Sequence, residues 1–172
     1  MAQGFLARVN GRLKQIAAIV TSAGAADAGK IAALDAGGKF DASFLPSGIG
    51  ANQVVVPTSE SLSAGDFVNL YDNGGVLTAR KADNSNARAA WGYVEAAVTS
   101  PANATVKRLN TVNAGRSGLT AGVGYWLGTA GGVISAPLDA TDVANVGKIC
   151  QYLGIANSAT ELVTVEEAPV LL

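Results

Sequence analysis

Apolar residues at the start of the chain recur at helical spacing. They are four, four, three and four residues apart, which would place them on one side of a helix: Phe5, Val9, Leu13, Ile16 and Val20. This stripe predicts an amphipathic helix over residues 3–20. Gly4 and Gly11 would each cost the isolated helix up to about 1 kcal/mol relative to alanine. Such a helix therefore needs a surface to lie on.

The predicted helix is basic. Arg8, Arg12 and Lys14 lie off the apolar stripe, and no acidic residue precedes Asp27. The stripe could pack on the rest of the chain, dock on acidic groups of another protein, or lie on a membrane surface. The modest charge and the lack of tryptophan argue against the membrane. Residues 21–30 are small and polar, which predicts a flexible linker. We favour docking because this linker lets the helix reach a partner.

The pattern changes beyond residue 53, where the sequence contains an internal repeat. Residues 62–79 align with residues 119–136 without a gap, and both copies contain a Leu-x-Ala-Gly turn and a Gly-Gly turn between apolar segments. Gly-Gly between such segments is a hairpin signal because tight hairpin turns need positive φ. We expect the two turns to be equivalent in the two copies. The identical pairs are Leu62/Leu119, Ala64/Ala121, Gly65/Gly122, Leu70/Leu127, Gly74/Gly131, Gly75/Gly132, Val76/Val133 and Ala79/Ala136.

The repeat continues through two further segments. Residues 91–98 align with residues 146–153 after a two-residue shortening of the second copy, and residues 105–109 align with residues 161–165. Alternating apolar positions predict short strands in these segments. The sequence thus predicts an all-β domain over residues 53–172. We expect a barrel or sandwich of about eight strands from two fused similar halves, at about 54–109 and 111–165.

An N-terminal arm over residues 1–52 precedes this domain, and its second part carries a motif. The pattern Gly-Lys-Ile-x-x-Leu-Asp-x-x-Gly-Lys-x-Asp-x-Ser-x-Leu-Pro occupies residues 29–46 and predicts an extended segment around a turn at residues 35–38. This pattern resembles a linker common in virion proteins of tailed bacteriophages. The β-domain that follows, with its Leu-x-Ala-Gly-Asp and Gly-Gly-Val turns, is similar to small capsid decoration (cement) proteins.

Composition removes several other classes of function. The formal net charge is −1, whereas general nucleic-acid binders carry a marked basic excess. No apolar run approaches the roughly 18 residues that cross a membrane. The chain has no histidine and one cysteine, Cys150, so it lacks the usual catalytic triad and most zinc sites. We expect no nucleic-acid partner, no membrane partner, no metal and no cofactor.

Carboxylates are the remaining candidates for chemistry. No run of them has the spacing of a calcium loop, although a glycosidase pair could still meet across a fold. We expect them to be solvated surface charges and the protein not to be an enzyme. The residues considered are Asp66, Asp72, Asp139, Asp142, Glu166 and Glu167.

The resemblance implies a structural protein on the capsid exterior of a virion. It would bind the assembled shell, bridge neighbouring subunits of the major capsid protein and form a homotrimer. A tail-fibre or baseplate appendage is the first alternative, and a carbohydrate-binding β module is the second. The predicted capsid-docking residues are Phe5, Arg8, Val9, Arg12, Leu13, Ile16, Ile31, Leu34, Phe40, Phe44 and Leu45. The predicted self-association residues are Trp91, Tyr93, Tyr125 and Trp126.

Overall fold

The computed structural model describes residues 4–45 and 52–172. These residues form an all-β protein with no α-helix and four short 3₁₀ turns. The first residue of the predicted helix, the proline that ends the 29–46 motif and most of the connector to the β-domain lie outside the described residues. The chain divides into two compact units, residues 1–52 and residues 53–172.

The predicted N-terminal helix is wrong, because residues 4–17 form an antiparallel hairpin. Strand β1 (Gly4–Val9) pairs with β2 (Arg12–Ala17) along its whole length. Asn10 and Gly11 make the connection with φ angles of 52° and 78°. Asn-Gly is the sequence most typical of two-residue hairpin turns, since both positions require positive φ. In this hairpin the apolar residues at helical spacing do not keep to one face, since Phe5, Val9 and Ile16 lie on one side and Leu13 on the other.

The second part of the N-terminal unit contains the predicted turn but little extended pairing. The backbone N–H of Asp35 donates to the Lys39 carbonyl at 2.8 Å, and the N–H of Gly38 donates to the Asp35 carbonyl at 3.0 Å. The side chain of Asp35 also accepts from the N–H groups of Gly37 and Lys39. A single parallel bridge joins Ile19 to Ala32, and a 3₁₀ turn spans Ala42–Phe44.

Residues 53–172 form two five-stranded antiparallel sheets and one short strand pair. The first sheet contains β3 (Gln53–Pro57), β4 (Phe67–Asp72), β5 (Leu77–Lys81), β6 (Gly92–Val94) and β7 (Asn103–Arg108). The second contains β8 (Val112–Asn113), β9 (Gly124–Leu127), β10 (Val133–Ile134), β12 (Tyr152–Ala156) and β13 (Leu162–Thr164). The separate pair is β11 (Ile149–Cys150) with β14 (Val170–Leu171). The remaining 3₁₀ turns are Gly24–Asp27, Asn84–Asn86 and Val143–Asn145.

The two sheets have the same strand order. The first is β3-β7-β6-β4-β5 and the second is β8-β13-β12-β9-β10, so each strand has a counterpart in the other half. No closed barrel forms within the described residues. In the first sheet the two edge strands meet only at a parallel bridge between Thr58 and Ala79. The sheet therefore curls without closing.

The hydrogen bonds after the Leu-x-Ala-Gly turns are equivalent in the two halves. The N–H of Gly65 donates to the Val94 carbonyl at 2.7 Å, and the N–H of Gly122 donates to the Ala156 carbonyl at 2.8 Å. This pair of bonds makes β12 the counterpart of β6. The aligned segment 146–153 is therefore displaced by about one strand, and Gly154, not Gly147, corresponds to Gly92.

The two Gly-Gly hairpins are not equivalent, contrary to the expectation from the repeat. Leu70 pairs with Ala79 in the first half, whereas its counterpart Leu127 pairs with Val133, so the second hairpin is three residues shorter. The backbone of Gly131 instead bonds to the first half. Its N–H donates to the Ala82 carbonyl at 2.7 Å, and its carbonyl accepts from the Phe67 N–H at 3.0 Å.

Two hydrophobic clusters lie within residues 53–172. On the inner face of the first sheet, Val68 and Val94 belong to a cluster with Val56, Leu62, Ala79, Ala104 and Val106. The outer face of this sheet carries Phe67 and Tyr93, which belong to the larger cluster. That cluster also holds the inner face of the second sheet: Tyr125, Leu127, Ala156 and Leu162. The sheets thus stack with the outer face of the first against the inner face of the second.

Buried amide side chains link the halves as well. Gln151 is almost fully buried; its Oε1 accepts from the Ala90 N–H at 2.8 Å and its Nε2 donates to the Ala90 carbonyl at 3.0 Å. Asn84 donates to the Leu127 carbonyl at 2.8 Å, and Asn113 donates to the Gly65 carbonyl at 2.9 Å. Backbone groups that sheet pairing leaves open are satisfied in this way.

We predict that Gly92→Ala and Gly154→Ala each lower the free energy of unfolding by about 3 kcal/mol, because an added methyl group would overpack the sheet. A Cβ at Gly92 would lie 2.1 Å from the Lys107 carbonyl oxygen, and one at Gly154 would lie 2.0 Å from that of Val163. Gly147→Ala is the control: its Cβ would meet nothing within 4 Å. It should cost only about 1–2 kcal/mol for its positive φ. Urea unfolding measures all three variants. A loss for Gly154→Ala as small as the loss for Gly147→Ala would contradict the assignment of Gly154 as the counterpart of Gly92.

Gln151→Leu should lower the free energy of unfolding by about 3 kcal/mol or more, because both backbone groups of Ala90 would lose their buried partner. Gln53→Leu is the matched control at an exposed position of β3, and we expect a change within about 0.5 kcal/mol. A Gln151→Leu protein as stable as the control would show that water replaces the lost bonds.

Candidate functional site

The N-terminal hairpin divides the predicted docking residues between its two faces. Phe5 pairs with Ile16 and Val9 pairs with Arg12, so these four share one face. Leu13 pairs with Arg8 on the other face. The apolar stripe of the predicted helix is therefore split, because strand residues alternate between faces.

Apolar side chains are exposed on both faces of this hairpin. Leu6 and Leu13 have exposed fractions of 72% and 73%, and they lie diagonally across the strands on one face. On the other face Val9 is exposed, and Phe5 and Ile16 are half-buried. Leu6 is absent from the residues selected by sequence. The Asn-Gly dipeptide at residues 10–11 is the signal that could have found it, because a hairpin turn there places Leu6 on the same face as Arg8 and Leu13.

The other predicted docking residues lie after the hairpin. Ile31, Leu34, Phe40 and Leu45 are exposed, and Phe44 is half-buried. The rings of Phe40 and Phe44 meet edge to face at 6.2 Å between centroids. Among the side chains described in residues 4–45, only Ala33 is buried. The unit thus has almost no core of its own.

The charges of this unit are separated along the chain. Arg8, Arg12 and Lys14 are exposed on the hairpin, and no acidic residue precedes Asp27. Asp27 pairs with Lys30 and accepts from the backbone N–H of Ala23. Its pKa lies below the ordinary value, first because of the bond from Ala23 and then because of the bond from Lys30. The hairpin therefore presents a cationic, apolar surface.

The four predicted self-association residues do not form one surface. Tyr93 and Tyr125 are buried in the larger cluster, which leaves them unavailable to a second copy. Trp91 is half-buried against the inner cluster of the first sheet, with the guanidinium of Arg108 5.8 Å from its ring centroid. Trp126 is half-buried on the second sheet, 5.2 Å from the ring of Tyr152.

Three of the candidate acidic side chains of the β-domain make hydrogen bonds within it. Asp72 accepts from the Gly75 N–H in the first Gly-Gly hairpin, and Asp142 accepts from the Ala144 N–H at the start of a 3₁₀ turn. Glu166 accepts two hydrogen bonds from Arg108 at 2.7 and 3.0 Å, and these bonds hold the pKa of Glu166 below its ordinary value. Within residues 4–45 and 52–172, no three acidic or cysteine side chains are close enough to hold a metal ion.

A pocket of about 750 Å³ lies beside the second sheet, between Arg116 and Ile134. The guanidinium of Arg116 donates to the carbonyls of Gly65 at 3.1 Å and Gly131 at 3.4 Å. Burial lowers the pKa of Arg116, while the charge of Asp66 opposes this effect. Arg116 thus ties backbone of both halves together, and its bonds are directed to the protein itself.

Comparison with known proteins finds a distant structural likeness. No family model and no curated protein matches this sequence. Among solved structures, the chain is similar to the head fiber gp8.5 N base of bacteriophage phi29, with a TM-score of 0.41. The sequence identity is 11%, and the match covers 66% of this chain and 92% of that chain. A likeness at this level carries no argument about fold or function. No helix in the described part of the chain is long and apolar enough to cross a membrane.

Proposed function

We propose that this chain is a structural protein of a bacteriophage virion. More specifically, it decorates the exterior of the assembled capsid and bridges neighbouring subunits of the major capsid protein. The proposal assigns it no catalytic activity and no cofactor. It combines the resemblance of the 29–46 motif to phage linkers with one observation on the structure, which is the uncovered N-terminal hairpin.

The hairpin supports the proposal because it is marginally stable alone and exposes apolar side chains that a partner could cover. A two-stranded hairpin alone is marginally stable in water. This one exposes Leu6, Leu13 and Val9 on its two faces. Burying a leucine is worth roughly 1.5–3 kcal/mol, so a partner that covers these side chains would stabilise the hairpin and gain affinity.

The charge of the hairpin defines the chemistry of that partner. Arg8, Arg12 and Lys14 favour an acidic surface, and their exposure makes the attraction sensitive to salt. An assembled shell offers many identical sites. Several hairpins held together in one oligomer would therefore bind with avidity. A trimer matches a threefold position of an icosahedral shell.

The alternatives differ from this proposal in what they require. A tail-fibre or baseplate appendage would use the same hairpin as an attachment plug, so the target particle distinguishes the two. A carbohydrate-binding module would need aromatic side chains on one flat exposed face. Tyr125 is buried, and Trp91 and Trp126 belong to different halves, which argues against that function.

The test uses purified protein with capsids and separated tails of the phage that encodes it. We expect binding to capsids, and we expect Leu6→Thr combined with Leu13→Thr to raise the dissociation constant at least about tenfold. Threonine keeps the strand propensity while removing apolar surface. Increasing salt should weaken wild-type binding.

Val143→Thr is the matched control, because Val143 is 85% exposed on a 3₁₀ turn of the β-domain. It should bind capsids as the wild type does. Cosedimentation with capsids measures occupancy, and circular dichroism checks that each variant is folded. Wild-type occupancy by the double-threonine variant would refute docking through the hairpin, and binding to tails alone would favour the appendage.

A further inference from the structure

The outer face of the second sheet carries two rows of uncharged residues across its strands. Register places Val112, Val163, Ile155 and Gly124 side by side in the first row. The second row contains Ile134, Trp126 and Tyr152. We call these seven residues the outer apolar face. Side chains between them, such as Tyr125 and Leu162, point to the core.

This face is exposed in the single chain. Val112 and Ile155 each have an exposed fraction of 45%, and Val163 has one of 39%. Trp126, Tyr152 and Ile134 are half-buried. Interfaces between identical subunits are richer in apolar and aromatic residues and poorer in charge than other protein surfaces. The outer apolar face has this composition, and two identical copies of it would meet without charge repulsion.

The first sheet contains the equivalent row. The layer that covers this row indicates what kind of partner would cover the outer apolar face. There the register is Gln53, Lys107, Tyr93 and Phe67. Tyr93 and Phe67 are covered by the second sheet of the same chain. The other end of that row is polar, with exposed Gln53 and partly exposed Lys107, whereas the second sheet has Val112 and Val163 there. The apolar pair thus replaces a polar pair, although Val112 and Val163 are exposed in one chain.

Separate copies cannot stack in the way that the two sheets of one chain stack. The inner face of the first sheet would be the surface to receive an outer face from another copy. It is already filled by the chain's own Val56, Leu62 and Val106. A head-to-tail stack of copies is therefore blocked, and closed association around a symmetry axis, with the outer apolar face of each copy turned toward its neighbours, remains.

We propose that the outer apolar face is the contact between copies of this chain. Trp126 and Tyr152 lie near its centre, and Val112 lies on its edge strand. This inference does not require that the partner of the hairpin is a capsid. It concerns residues other than those of the N-terminal unit, so either proposal can fail while the other stands.

The variant that tests it transfers the polar pair of the first sheet to the second: Val112→Gln with Val163→Lys. Both positions are exposed, and the first sheet holds the same residue types at the equivalent places, so the variant should fold. Val55→Lys is the matched control, because Val55 is 60% exposed in β3 of the first sheet. Sedimentation velocity measures the mass, and urea unfolding measures stability.

We expect the full-length wild type and Val55→Lys to have a mass that is a multiple of the 17.2 kDa chain, and three times that mass if the trimer is right. The double variant should dissociate, with a dissociation constant at least about tenfold higher and circular dichroism unchanged. A dimeric wild type that dissociates on double substitution would support the face and refute the trimer. A wild type that is monomeric at about 100 μM, or a double variant with wild-type mass, would overturn the inference.

Discussion

The packing of Phe67 and Tyr93 against the second sheet is the contact on which the rest of the β-domain depends. Their ring centroids are 6.4 Å apart, and both rings lie on the face of the first sheet that the second sheet covers. A sheet with one apolar face must bury it against another layer. The two halves therefore share the larger of the two hydrophobic clusters. The bonds of Gln151 to Ala90 and of Gly131 to Phe67 satisfy backbone groups at the edges of that core.

Much of the β-domain could be predicted because the two copies of the repeat have identical residues at their turns. Gly65 and Gly122 precede equivalent strands, and β7 matches β13 as the alignment has it. The third strand was misplaced because Gly147 offers a local identity to Gly92, whereas Gly154 has the same close approach to a neighbouring strand. Close backbone contact is a tertiary property that a pairwise alignment does not contain.

The N-terminal unit was predicted less well, for a physical reason. Five apolar residues fit helical spacing, but Asn10 and Gly11 favour a tight turn more strongly than the stripe favours a helix. The prediction that this unit is apolar and basic did not depend on its being a helix. Similarly, Tyr93 and Tyr125 were placed on a surface because aromatic content alone does not distinguish a core from an interface. Their burial follows from the stacking of the sheets.

The fusion of the two halves has a consequence for how assembly responds to concentration. The contact between the two sheets is intramolecular, so its strength depends on the effective concentration that the connecting chain imposes. It forms equally well in a dilute solution and in a crowded cell. A contact between separate chains instead obeys mass action. Covalent duplication therefore makes the protomer insensitive to dilution and leaves only higher assembly to be governed by the amount of protein present.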